Sequence, residues 1–175
     1  LAFHPDYADN GLFYFTYSTN EGDRGERFVL ARAQVSPDPD LADPASVQIV
    51  LEIPNPGRWH YGGWIGFGPD GYLYVSRGDG GVEHDPDHNA QNPHELLGKL
   101  LRLDVNGDAY PEDPLRNYAI PPSNPFADGN DMPNGMDFDY ETALARGQDV
   151  DFFVIYYIDS PKALASDERY QNIPA

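Results

Sequence analysis

His60 is the residue of this chain best placed to move a proton, because an imidazole titrates near neutral pH. It opens the run His60-Tyr-Gly-Gly63, and an acidic, glycine-rich run, Gly78-Asp-Gly-Gly81, follows soon after. Gly62 and Gly63 carry no β-carbon, so a bulky flat ring can come close to the backbone there. Asp79 can ligate a metal or hold its own loop. Spacing leaves two readings of His60 open: a general base, or a histidine at a strand start that hydrogen-bonds a neighbouring loop.

Other constellations are weaker. His84, His88 and His94 share a loop with Asp85 and Asp87, but no pair has the helical i, i+4 setting with glutamate that zinc proteases use. Asp85-Pro-Asp-His-Asn-Ala-Gln91 and Asp104-Val-Asn-Gly-Asp-Ala-Tyr-Pro-Glu112 place oxygen ligands at alternating positions, as hard cations favour. Neither has the glycine at the sixth position and the glutamate at the twelfth of an EF-hand loop. The metal ligands therefore stay unassigned. There is no nucleophile elbow, Walker loop or dinucleotide fingerprint to support serine hydrolysis or nucleotide chemistry.

The elements that must position His60 read as all-β. The 17 glycines and 17 prolines break helices, while 12 tyrosines and nine phenylalanines suit pleated strands. A repeat organises them. Phe3-His-Pro-Asp6 precedes Gly11-Leu-Phe-Tyr-Phe-Thr-Tyr17, and Phe67-Gly-Pro-Asp70 precedes Gly71-Tyr-Leu-Tyr-Val-Ser76, an offset of 64 residues. In each copy a phenylalanine ends one strand, Pro-Asp opens a turn, glycine takes the positive φ, and an aromatic strand returns. Two such hairpins read as successive β-propeller blades, whose ligands bind where loop ends converge. Further strands are expected over 27–35, 47–53 and 99–105, and one helical turn over 94–98. An extended surface loop is expected over 110–134, and short helices with one strand over 140–170.

Charge and composition exclude some partners. The net charge of −18 repels phosphate backbones, so nucleic acid is not expected. With no cysteine there is neither a disulfide nor thiol catalysis. No run approaches the ~18 apolar residues of a membrane span. No signal peptide is legible, and the chain opens at Leu1, as it would if a leading segment were removed.

Four segments in order carry a family resemblance. They are Leu1 to Tyr14; His60 to Gly63 with Phe67 to Tyr74 and Gly78 to Gly81; Asn89 to Asn92 with Leu96 to Asp104; and Tyr118 to Phe126. Together they resemble the glucose/sorbosone dehydrogenase family of soluble, PQQ-dependent sugar dehydrogenases. The resemblance implies about two to three blades of a six-bladed propeller over residues 1–126, followed by a diverged tail over 127–175. It implies oxidation of the anomeric carbon of an aldose to a lactone, with PQQ and calcium as cofactors, in the periplasm or outside the cell. His60 stands where the family's catalytic histidine stands, although Trp59 replaces the small polar residue usual before it. Gly62, Gly63, Asp79 and Gly80 match the edge of the cofactor pocket. The family's Arg-Asn-Pro motif, which contacts PQQ, has no match after Phe126, and Arg116-Asn117-Tyr118 lacks the proline. A fragment of the enzyme is therefore expected, or a non-catalytic propeller that binds carbohydrate or protein. With about two blades, open β-edges or pairing with another copy or chain are expected as well.

Overall fold

The computed structural model describes residues 1–20, 25–81, 85–87, 89–91 and 95–124. The helices and strand expected over 140–170 lie outside the described residues, as do His84, His88 and His94. The regular structure of the described chain is almost entirely β. One antiparallel sheet runs in the order β1 (Ala2–Phe3), β2 (Leu12–Asn20), β3 (Glu26–Gln34), β4 (Gln48–Pro54). The second runs β5 (Ile65–Phe67), β6 (Leu73–Arg77), β7 (Lys99–Leu103).

The repeat is visible as structure. Phe3 ends β1 and Phe67 ends β5, and each is followed by a Pro-Asp turn and a returning strand. Gly11 (φ 63°) and Gly71 (φ 80°) both take the left-handed conformation that the repeat demands. The copies differ in one respect: a single helical turn, Tyr7–Asn10, is inserted before Gly11. The first strands of the two sheets, β1 and β5, touch. Phe67 lies edge-on to both His4 and Tyr14, with ring centroids 5.5 and 5.4 Å apart. One core spans both sheets, built from Tyr14, Phe28, Leu30, Leu51, Leu73 and Val75 among others. β3 is buried along Phe28–Ala31, as expected of a strand covered on both faces.

Two expectations are corrected. Residues 95–98 form a turn rather than part of a helix, because Gly98 adopts φ 68°. The stretch after Tyr110 is not a plain surface loop, since Tyr118 and Pro121 are buried. It sews the outer edges of the sheets together instead. Glu52 N–H donates to the Leu115 carbonyl (3.1 Å) and Asn117 N–H to the Val50 carbonyl (2.8 Å), so this part of the β4 edge is covered. Asp104 and Ala119 then exchange two backbone bonds beyond the end of β7 (2.9 and 2.8 Å). The open edge expected from two blades is thus filled here by the chain's own backbone.

Candidate functional site

The connection from β4 to β5, residues 55–64, crosses from one sheet to the other and carries His60. Hydrogen bonds fasten it on both sides. Tyr61 Oη donates to Glu26 Oε2 (2.7 Å) and Thr16 Oγ1 to the Gly63 carbonyl (3.0 Å), which ties it to the first sheet. Gly57 N–H donates to the Gly80 carbonyl (2.7 Å) and Gly63 N–H to the Ser76 carbonyl (3.0 Å), which ties it to the second.

His60 and Asp79, 19 residues apart in sequence, meet here. Nδ1 of His60 lies 2.7 Å from Oδ1 of Asp79. Both side chains are largely enclosed, at 22% and 13% exposure. Asp79 is itself held, because Oδ1 also accepts from Gly81 N–H (3.1 Å) and its carbonyl accepts from Asn89 Nδ2 (3.0 Å). A carboxylate accepts and an imidazole N–H donates, so the pair places the proton on Nδ1 and the lone pair on Nε2. His60 has φ 56°, a left-handed backbone that side chains adopt at a cost.

The glycines have packing reasons of their own. Gly62 (φ 75°) lies against the backbone of Ser76 to Gly78, where a β-carbon would come within 2.5 Å of the Ser76 carbonyl oxygen. A β-carbon on Gly80 (φ 71°) would stand 2.9 Å from both Asn55 Oδ1 and Pro56 Cδ. Gly63 (φ 108°) would meet only Thr16 Oγ1, at 3.5 Å, so its conformation rather than crowding calls for glycine. Trp59 turns its ring outward, at 65% exposure, and contributes its carbonyl to Asn55 Nδ2 (3.2 Å).

Sequence reasoning passed over Arg77 and Asn55, both buried behind His60. Arg77 Nη1 donates to the carbonyls of Tyr61 (2.7 Å) and His60 (3.1 Å), and Nη2 donates to Asn55 Oδ1. A signal was available. Leu73 and Val75 alternate inward on β6, and the same parity puts Arg77 in the core.

The two oxygen-rich loops use their carboxylates on backbone. Asp85 accepts from the amides of Asn89 (2.8 Å) and Ala90 (2.9 Å), and Asp104 from that of Asn106 (3.0 Å). Among the described residues no group of three or more metal-ligating side chains comes together. The other described histidine, His4, accepts at Nδ1 from Asn10 (2.9 Å) and Asp6 N–H (3.1 Å), and Nε2 donates to Asn106 Oδ1 (3.1 Å). It joins the sheets and has no carboxylate acceptor at Nδ1. A cavity of about 520 Å³ opens between β4 and residues 95–97, lined by Glu26, Glu52 and Leu97 among others. Neither His60 nor Asp79 lines it, so the chemistry rather than the hollow marks the site.

Comparison with known proteins bears on the family and the fold. The family described as Glucose / Sorbosone dehydrogenase matches residues 1–145. The chain belongs to that family. Human Hedgehog-interacting protein is 34% identical over 139 residues, covering 76% of this chain and 19% of its own length. HIPL1 protein of Arabidopsis thaliana is 31% identical over 172 residues, covering 75% and 25%. Quinoprotein glucose dehydrogenase B of Acinetobacter calcoaceticus is 24% identical over 158 residues, covering 79% and 32%. A solved structure titled glucose dehydrogenase superposes with a TM-score of 0.57 at 21% identity, covering 74% of this chain and 36% of that one, a likeness of fold. The chain thus spans a fifth to a third of the length of these curated relatives, as two sheets of a partial propeller.

The fit of PQQ, a tricarboxylate quinone, can be tested on the side chains. Most of the described cations are engaged elsewhere, while Arg58, two residues before His60, is exposed and stands 3.7 Å from Glu26. Arg27 pairs with Glu52 (2.8 Å), Arg102 with Asp70 (2.9 Å) and Arg116 with Asp113 (3.2 Å). Lys99 Nζ is enclosed by the carbonyls of Asn89, Leu97 and Ala90 (2.8, 2.8 and 3.0 Å), and burial pushes it down to about 8. Beside the His60–Asp79 pair the described residues thus offer Arg58 as an exposed guanidinium, fewer cations than three carboxylates call for.

Proposed function

We propose that this chain carries the proton-abstracting part of a sugar-oxidising site, with His60 as general base and Asp79 fixing its tautomer. The observation that carries this reading is the 2.7 Å contact between Nδ1 and Oδ1. It resembles the base-and-orienter pairing of other enzymes, in which a buried carboxylate holds the ring and stabilises the imidazolium that forms. The task is to take the hydroxyl proton at the anomeric carbon of an aldose at Nε2, as that carbon is oxidised to the lactone. Gly62, Gly63 and Gly80 belong to the same proposal as backbone that a flat cofactor can approach. PQQ with calcium is the proposed oxidant of the whole site, and a periplasmic or extracellular setting goes with it. Residues 1–126 as the blades and 127–175 as a separate tail complete the reading.

A second reading, a recognition module without catalysis, draws support from the 34% identity to Hedgehog-interacting protein and from the engaged cations. One experiment divides them. The chain is mixed with PQQ and calcium, and dye reduction is followed with glucose and other aldoses. Turnover that disappears in His60→Ala supports the dehydrogenase. Turnover that survives His60→Ala, or PQQ bound with no turnover of any aldose, overturns it and leaves the recognition module.

A further inference from the structure

We propose that Arg77 is a positioning residue: its guanidinium, buried beneath the 55–64 connection, holds the backbone of His60 in the conformation that aims the ring at Asp79. This rests on the proposed role of His60 and adds to it the group that keeps the base in place.

Arg77 is 3% exposed and sits where β6 alternation would place an apolar side chain. Among the described residues no carboxylate comes within ion-pair distance of it, although the Asp79 charge favours its cation, and its Nε is buried without a hydrogen-bond partner. A buried cation of this kind costs stability, and a well-packed apolar residue would serve the core better. Burial pushes its pKa down to about 10, which still leaves a full cation at neutral pH. What the charge obtains in return is specific. Nη1 donates to the carbonyls of Tyr61 and His60 (2.7 and 3.1 Å) and lies 3.4 Å from that of Gly78, which the Gly98 amide already satisfies (2.8 Å).

His60 requires such a clamp. Its φ of 56° is left-handed, and a relaxed backbone would swing the imidazole off Asp79. Arg77 is fixed in turn by Asn55, and its Cζ stands 5.1 Å from the centre of the Phe28 ring. Asn55 also ties down the carbonyls of Gly57 (2.5 Å) and Trp59 (3.2 Å). Arg77 and Asn55 thus hold the connection from Gly57 to Tyr61 from below, while His60 turns to Asp79.

The test reads the Nδ1 proton of His60 directly by NMR of the full chain labelled in its imidazole nitrogens. In the unaltered chain a downfield Nδ1–H signal, abolished by Asp79→Asn, is expected. Arg77→Met keeps the length and removes the donors, and should speed solvent exchange of that proton about tenfold or more, the scale of a lost charged hydrogen bond. Arg77→Lys retains the charge and a single donor head, and should fall between the two. A signal that exchanges at the original rate in Arg77→Met overturns the proposal while leaving the His60–Asp79 pair intact. If Arg77→Met does not fold, Arg77→Lys decides alone, and an unchanged exchange rate there overturns it equally. Absence of the signal from the unaltered chain overturns the pair itself, and the clamp with it.

Discussion

A β-carbon on Gly78 would stand 1.9 Å from the carbonyl oxygen of His60. The exit of β6 and the turn that bears His60 are therefore pressed together with no room for a side chain, and His60 can sit where it does only because residue 78 is glycine. Gly78→Ala must push the two segments apart, at a cost of about 3 kcal/mol. Gly81→Ala is the control, since its β-carbon would meet nothing nearer than Pro86 Cδ at 4.0 Å. It should stay within about 1 kcal/mol of the unaltered chain. Urea denaturation of both variants checks the contrast, and equal midpoints would refute the contact.

Asp79→Asn tests the tautomer. The amide can present its N–H₂ group to Nδ1 and drive the proton to Nε2, where a base needs its lone pair. Any dye-reducing turnover of the reconstituted chain should fall by roughly 10²- to 10⁴-fold, with a melting temperature close to the original. Turnover unaltered by the substitution would remove Asp79 from the mechanism.

Lys99 makes stability depend on alkali. Burial lowers its pKa to about 8 from the ordinary 10.5, so between these values the unfolded chain binds more protons than the folded one. The folded state should therefore gain stability as pH rises from about 8 to 10.5. Lys99→Met should lack that gain, and denaturant melts at pH 8 and 10 compare the two. Parallel curves would show that the ammonium is not burdened by burial.

Tyr118 acts in the opposite sense. Burial and the neighbouring Tyr110 push its pKa to about 12, above the ordinary 10, so the folded chain keeps a proton that the unfolded chain has lost. Stability attached to this residue is complete below pH 10 and declines towards pH 12. Tyr118→Phe should abolish its share of the decline, read as the difference between the two proteins at pH 9 and 11.

Asn117 closes the seam along β4. Its Nδ2 donates to the carbonyls of Ile49 (2.8 Å) and Pro114 (3.0 Å), and its Oδ1 accepts from Gln48 Nε2 (2.8 Å). Asn117→Ala should cost about 1–3 kcal/mol and expose the Glu52 amide. Hydrogen exchange at Glu52 that keeps its original rate would show that 115–117 covers the edge without this side chain.

Much of this protein was legible before any coordinates. Phe-x-Pro-Asp with its following glycine sets a turn and a returning strand from local sterics alone, so both copies of the hairpin could be read from the chain. Alternation marks β6, where Leu73, Val75 and Arg77 face inward, because a pleated strand sends successive side chains to opposite faces, whereas β3 is buried on both faces along Phe28–Ala31. His60 and Asp79 could each be named from residue type. Their 2.7 Å contact could not, because it lies beyond the regular pairing of β5 with β6, where the irregular turns at the open end of that hairpin set the side-chain geometry. The same holds for Arg77. Strand parity puts it inside, but only the folded connection shows that its partners are the carbonyls of His60 and Tyr61. The seam from Leu115 to Ala119 was misread as loop for a related reason, since backbone bonds to a distant strand leave no periodic trace in so short a stretch. Local chemistry wrote the turns and strands, and long-range packing chose which groups meet.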